Sequence, residues 1–447
     1  MKGYLSRTSA RLLANLDQGA DVAKVVRQTW RSDIAGGLSR RDRRSCTYEA
    51  YVPDQLDGQS FTLDGDVAAD VADAEGAIRR LNESARALVD TEALARLLLR
   101  AEAVASSRIE GLEVGGRRLL RAEVAPDLGS DASDVTAAEV LGNIDAMRWA
   151  TETLTAATRV DIHDICEIHR HLLAGTRHEH LAGVLRTEQN WIGGSSYNPC
   201  SAAFVPPPPD HVHRLMEDLC NFINSGDLPA VVHAALVHAQ FETIHPFADG
   251  NGRTGRVLIH VVLRRRGLVE RAAPPISLVL ATEADQYIAG LTAFRYLGRS
   301  DSAEARSGTN RWLATFASAT RRASTDAVDF EARIAEIQPA WRTALGRVRA
   351  NSATDLLIGA LPGAPVVTVA SAAVLIGRTT QATNESFKAL VAAGVLTQIN
   401  VGRQRNRAFE APAIIDAFNA FERGLASPTG DTRSAPPVRV VPARSTK

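Results

Sequence analysis

The chain has 447 residues, enough for two to four domains, and its 45% hydrophobic and 23% charged residues are the balance of a soluble globular protein. Lys plus Arg equals Asp plus Glu at 51 each, so net charge argues for neither nucleic acid nor membrane as a partner, and only local clusters can. No apolar run approaches the ~20 residues of a membrane span, and Arg7, Arg11 and Asp17 interrupt the N-terminus, so neither a span nor a signal peptide is expected. Cys46, Cys166, Cys200 and Cys220 show no C-x-x-C pair and no zinc spacing. Reduced thiols in a cytoplasmic protein are the expectation.

Regular structure is not expected before about residue 65, because residues 31–65 are polar and rich in Gly, Arg and Asp. Over residues 67–104, Ala77, Ile78, Leu81, Leu88, Leu94, Leu97 and Leu98 recur at helical spacings. A polar stretch at 127–134 closes an N-terminal region of residues 1–130. Residues 131–325 form a mostly helical block, with helices predicted near 136–156, 161–174, 210–224, 229–244, 253–267, 282–297 and 309–323. Its one interruption, about 186–209, holds two short strands at 191–194 and 204–205 around a loop. Four prolines, Pro206 to Pro209, end the second strand, and Asp210 is the expected N-cap of the next helix.

Residues 350–422 form a small separate domain. Helices at 356–361, 369–376 and 379–393, a turn at Gly377, and a hairpin of 395–399 with 407–410 around Gly402 make a winged helix-turn-helix pattern. Residues 426–447 are rich in Pro, Ser, Thr and Arg without periodicity, and disorder is expected there.

The chemistry concentrates in the run His245-Pro246-Phe247-Ala248-Asp249-Gly250-Asn251-Gly252-Arg253-Thr254-Gly255-Arg256. Val232, Ala235, Leu236, Ala239 and Phe241 predict a buried helix that Pro246 must stop, which leaves His245 at the mouth of a loop. Asp249 to Gly252 favours turns and close backbone approach. A helix resumes at Arg253, so unpaired N–H groups at its positive end make a phosphate site. Arg253 and Arg256, three apart, share a face and can both reach phosphate oxygens. Two cations at a helix start oppose its dipole and make sense if an anion sits there. Asp249 can hold Mg2+, and His245 can serve as general base.

The run resembles the Fic family signature H-x-F-x-[D/E]-G-N-G-R-x-x-R at every fixed position, and the resemblance extends over roughly residues 103–323, including Gly183-x-x-Arg186 and Asn190-Trp191-Ile192-Gly193. It implies a Fic helical core with a small β-hairpin flap, and a winged helix is a common companion. It further implies transfer of AMP from ATP to a Tyr, Thr or Ser hydroxyl of a protein. By the resemblance, Gly250, Asn251 and Gly252 form the anion hole, Asp249 binds Mg2+, Arg253 and Arg256 hold the outer phosphates, His245 takes the hydroxyl proton, and Phe247 anchors the loop. Gly252 stands where the family's kinases carry Lys, which favours nucleotidyl transfer. The segment 186–209 is then the flap, whose edge holds the target's backbone by strand addition, with Trp191 and Tyr197 as candidate contacts. Tyr287 is a candidate adenine contact.

Ser106-Ser107-Arg108-Ile109-Glu110-Gly111 resembles the family's inhibitory pattern [S/T]-x-x-x-E-[G/N]. The implied arrangement has Glu110 on Arg256, with Ser106 and Gly111 completing the motif. In the small C-terminal domain, Arg378, Thr379, Thr380, Gln381, Thr383, Asn384 and Lys388 on one helix and Arg403, Arg405 and Arg407 on the wing suit a DNA backbone, while Glu385 on the same helix fits a protein contact or dimerisation instead. Three readings follow: an autoinhibited adenylyltransferase, an enzyme that removes AMP with Glu110 positioning a water, and a DNA-binding regulator whose core senses nucleotide. An intact His245 weighs against the last. Fic-core helices often pair, so a homodimer is an open expectation.

Overall fold

The computed structural model describes residues 22–32, 37–87, 91–125, 134–399 and 407–425. A hairpin opens them: β1 (Lys24–Trp30) and β2 (Cys46–Val52) pair antiparallel from Lys24 with Val52 to Trp30 with Cys46. This corrects the expectation of no regular structure before residue 65. Both strands are rich in β-branched and aromatic residues, Val25, Val26, Thr29 and Trp30 in one and Thr47, Tyr48, Tyr51 and Val52 in the other, which is a strand signal that the polar stretch between them masks.

Fifteen α-helices follow among the described residues. The periodic stretch 67–104 splits into α1 (Gly65–Ala87) and α2 (Thr91–Ile109). Then come an unanticipated α3 (Gly116–Glu123), α4 (Val135–Ala156) and α5 (Ile162–Leu173). Asp134 caps α4 by accepting the Ala137 N–H, and Asp161 with Asp164 forms a capping box on α5. The helix α6 (Pro209–Ile223) begins one residue early, with Pro208 at the cap. Asp210 therefore lies in the first turn and is not the N-cap, because Pro209 is already preset for the first helical position.

The helices α7 (Ala230–Ile244) and α8 (Asn251–Arg265) flank the motif loop. Every residue of α7 is buried, as its near-continuous apolar surface requires. The helix predicted at 282–297 is α10 (Ala284–Phe294), preceded by an unanticipated α9 (Ile276–Thr282), and the one at 309–323 is the middle of the 43-residue α11 (Ala303–Leu345). The Trp312 indole on α11 donates to the Ala235 carbonyl at 2.8 Å, fixing α11 against α7.

Beyond α11 lie α12 (Ala353–Ala360), β3 (Val366–Thr368), α13 (Val369–Ile376), α14 (Thr380–Ala392), β4 (Thr397–Ile399), β5 (Ala408–Glu410) and α15 (Pro412–Leu425). The sheet order is β3-β5-β4, all antiparallel. Thr383 points inward and bonds the Thr379 carbonyl, so it is not part of an open polar face, whereas Arg378 is exposed and donates to the carbonyls of Gly377 and Asn351. Gly402, Arg403 and Arg405, and residues 426–447, lie outside the described residues. No described helix is long and apolar enough to cross a membrane.

Cys46 and Cys200 form a disulfide across a separation of 154 residues, while Cys166 and Cys220 are buried free thiols. The expectation of four reduced thiols is corrected for the first pair, whose proximity only the fold creates. The bridge ties the hairpin to the flap segment. Around it, Tyr51 N–H donates to the Val205 carbonyl at 2.9 Å, Asn198 donates to the Arg41 and Asp42 carbonyls, and Trp30 meets Trp191 edge-on at 5.3 Å.

Two outcomes follow. Cys200→Ser should cost about 2–5 kcal/mol of stability, measured by denaturant melts. A reductant should lower the wild type to match and leave the variant unmoved; a wild type insensitive to reductant would show that the bridge is not formed. Burial also pushes His169 and His233 down to about 4 and His238 to about 3, from an ordinary 6.5. Their neutral forms are favoured by folding, so this stability is complete above about 6.5 and is lost as pH falls toward 4. Melts from pH 8 to 4.5 should show the midpoint flat at first and then dropping below about 6.5.

Candidate active site

Helix α7 ends at His245, which takes a left-handed conformation (φ 50°, ψ 60°) because Pro246 prevents another turn. That conformation is costly for a residue with a Cβ and must be held from outside. The His245 N–H still donates to the Phe241 carbonyl at 2.8 Å, and the His245 carbonyl receives Arg186 Nε at 2.9 Å and Asn190 Nδ2 at 3.2 Å. Arg186, buried, also donates to the carbonyls of Pro207, Ile244 and Glu188. Burial lowers it to about 10, so it stays a cation whose role is to bind backbone.

The rest of the loop is pinned the same way. Asn251 accepts the Phe247 N–H and donates to the Phe247 carbonyl, both at 2.8 Å. The Phe247 ring is buried and stacks on His169 at 3.8 Å. His169 Nδ1 accepts the Gly183 N–H at 3.0 Å, which leaves the proton on Nε2 to bond the Asp249 carbonyl at 2.9 Å. Gly250 caps α8 at φ 75°, and a Cβ there would press on Leu172 and His169.

Above this loop stand the charges. Arg256 is buried: Nη2 bonds Glu110 Oε1 at 2.7 Å and the Ser106 carbonyl at 2.8 Å, and Nε bonds Ser106 Oγ at 2.8 Å. Burial works against its charge, yet Glu110, with Tyr287 and Glu242, holds the guanidinium above its ordinary value. The Glu110 carboxylate lies over the first turn of α8, so close that a Cβ on Gly252 would fall 1.9 Å from its Oε1. Gly111 follows at φ 80°, where the chain leaves the helix. Arg253 is buried, with Nη2 4.0 Å from Asp249 Oδ2 and with Nε and Nη1 lacking a hydrogen-bond partner among the described residues. Two buried N–H donors of a cation call for an anion. Asp249 is about half exposed at the loop mouth, which suits Mg2+, an ion that keeps several waters and binds through one or two carboxylates plus phosphates.

An open cavity of 870 Å³ lies over these groups, lined by Glu110, Trp191, His245, Gly252, Arg256 and Tyr287 among others. All the residues singled out in the motif gather at this cavity or at the loop beneath it. The flap is less regular than two strands. Ile192 and Phe204 make a single antiparallel bridge, and Gly193 and Gly194 turn there at φ 76° and 79°. Trp191 lines the cavity with its indole bonded to the Ser195 carbonyl, whereas Tyr197 is outside the lining. Tyr287 is buried, and its hydroxyl meets His238 Nε2 at 2.8 Å. Sequence reasoning missed His169, Glu242 and Arg295, and it noted Arg186 and Asn190 only as part of a pattern. Arg295 covers the flap's Phe204 ring at 3.5 Å.

Two stretches of the chain match known family models. Residues 159–263 match the Fic/DOC family, and residues 68–152 match the Fic/DOC family N-terminal region. The chain is similar to protein adenylyltransferase fic-1 of Caenorhabditis elegans, 31% identical over 154 residues that cover 33% of this chain and 27% of that protein. It is 34% identical to protein adenylyltransferase Fic of Nematostella vectensis, over 33% of this chain and 32% of that protein. These matches span about a third or less of the curated relatives' length. A crystal structure of a Fic family protein from Desulfovibrio desulfuricans superposes with a TM-score of 0.48 at 21% identity, over 78% of this chain and 97% of that one. The two matched stretches carry the motif loop and the helix that leads to Glu110, and over them the chain is similar to the Fic/DOC family.

Proposed function

We propose that this protein transfers AMP from ATP to a Tyr, Thr or Ser hydroxyl of a target protein, and that Glu110 holds it in a resting state. The observation that carries the reading is the Glu110 carboxylate on Arg256 and over Gly252. An outer phosphate of ATP would need that guanidinium and those amides, so the two anions compete for one seat. The names of the relatives, protein adenylyltransferases, support the reaction class.

In the proposed reaction, Gly250, Asn251 and Gly252 cradle the phosphates and Arg253 and Arg256 hold the outer ones. The target hydroxyl oxygen forms a bond to the α-phosphorus as the bond to the β-phosphate oxygen breaks, and pyrophosphate leaves. His245 takes the hydroxyl proton. Burial depresses His245 to about 4, so it is neutral and ready to accept at neutral pH. Asp249 would hold Mg2+, which neutralises phosphate charge when bound. The flap backbone around Ile192 offers the edge for a target segment.

Glu110→Gly should raise labelling from α-labelled ATP about tenfold or more, the equivalent of ~1.4 kcal/mol of relieved competition. Unchanged labelling of the protein and of lysate would refute the resting-state role. His245→Ala in that background should lower labelling about a hundredfold or more. Undiminished labelling would remove His245 as the base. Adding AMP-modified product to the same assay reads the opposite activity, removal of AMP.

A further inference from the structure

We infer that Glu242 is a positioning residue for His245: its carboxylate orients the imidazole and stabilises the imidazolium that forms when His245 takes a proton. The inference rests on the proposed function above for the step in which that proton moves.

Glu242 lies one turn before His245 on α7 and is buried, a rare place for a carboxylate without a bonded partner. Its Oε2 is 3.9 Å from His245 Nδ1. Its Oε1 and that Nδ1 are both buried without a hydrogen-bond partner among the described residues. An unpartnered ring nitrogen therefore stands just beyond bonding distance of one carboxylate oxygen, while the other oxygen of the same carboxylate is itself without a partner among the described residues, at the wall of the 870 Å³ cavity that both residues line. Contacts of this kind are often long in the resting enzyme and shorten in the working complex. Room for the carboxylate comes from α8: a Cβ on Gly255 would lie 2.7 Å from Oε1.

The charges that surround the pair are few. Arg256 from α8, Glu110 from α2 and Arg295 after α10 act on Glu242. Glu110, Arg186, Arg295 and the Glu242 carbonyl act on His245. Tyr287 from α10 and His238 from α7 complete the wall, neutral at pH 7. Burial, with Glu110 adding repulsion against the pull of Arg256, lifts Glu242 to about 7. Withdrawal of Glu110 removes that repulsion and brings the value down. The same movement that frees Arg256 therefore favours the charged form of Glu242.

The sign is clear for activity. Glu242 must be ionised to stabilise an imidazolium, so turnover should rise with pH through a limb at or below about 7. In the Glu110→Gly background, Glu242→Gln should lower kcat by about ten- to a hundredfold with little change in KM for ATP, and it should abolish that limb. Glu242→Asp should keep the limb and part of the rate. A Gln variant with unchanged rate and an intact limb overturns the inference.

A second measurement does not depend on turnover. In 15N-histidine-labelled Glu110→Gly protein, the His245 ring shifts should follow Glu242 ionisation with an inflection at or below about 7 that vanishes in Glu242→Gln. No inflection, or one that survives the substitution, overturns the pairing. Loss of AMP transfer with the inflection present would refute the proposed function and leave the pairing standing.

Discussion

Arg256 keeps a full positive charge inside the protein, and most of the architecture around the loop answers that charge. A buried cation without partners costs several kcal/mol, and here it sits in the second turn of α8, still near the positive end of the helix. The hydrogen bonds that answer it come from α2 and the residue just past its end. Ser106 gives its hydroxyl and its carbonyl, and Glu110, one turn on, gives its carboxylate. The match continues in the other direction: Glu102, one turn before Ser106, lies 2.8 Å from His260, one turn after Arg256, and also accepts the Ser277 N–H. The helices α2 and α8 are thus keyed to each other in antiparallel register by polar rungs, with Arg256 as the central one.

Those rungs differ in how easily they release. Arg256 and Ser106 are buried, whereas the Glu110 side chain is 38% exposed. Glu110 can leave toward water with modest desolvation change, and the guanidinium cannot. Beneath it the loop is fixed on all sides by Arg186, Asn190, Asn251 and His169, each bonded to backbone groups. An exchange of anions at Arg256 therefore calls for movement of α2's end and little else. A preformed cradle with one removable carboxylate is what the proposed regulation requires, since positioning and charge neutralisation supply most of what phosphoryl chemistry needs.

Much of this was legible in the sequence, for reasons that can be named. The apolar run into Ile244, the stop at Pro246 and the glycines at 250 and 252 each obey a local rule, so the helix–loop–helix follows from neighbours in the chain. The Glu110–Arg256 contact was legible only through the family resemblance, because its partners are 146 residues apart. His169 had no such signal. It sits on α5 like an ordinary buried histidine, and its work depends on where Gly183 and Asp249 arrive. The opening hairpin was missed because the stretch between its strands is polar, and the Cys46–Cys200 bridge because its partners stand 154 residues apart. Glu242 was hidden by its setting in a helix whose apolar residues dominate its pattern.

Gly252 shows how one residue can satisfy two demands. A loop glycine suggests a left-handed backbone, and Gly250 has one, but Gly252 lies inside α8 with ordinary helical geometry. Its need for glycine comes from above, where Glu110 Oε1 occupies the space a Cβ would take. Any side chain there would evict Glu110, and it would equally obstruct a phosphate brought to the same amides. The proposed inhibitory contact and the proposed phosphate seat therefore share Gly252 and Arg256 on α8. In the proposed regulation they separate only at Glu110, one residue past α2, whose carboxylate bonds the Arg256 guanidinium while the loop is pinned from other elements.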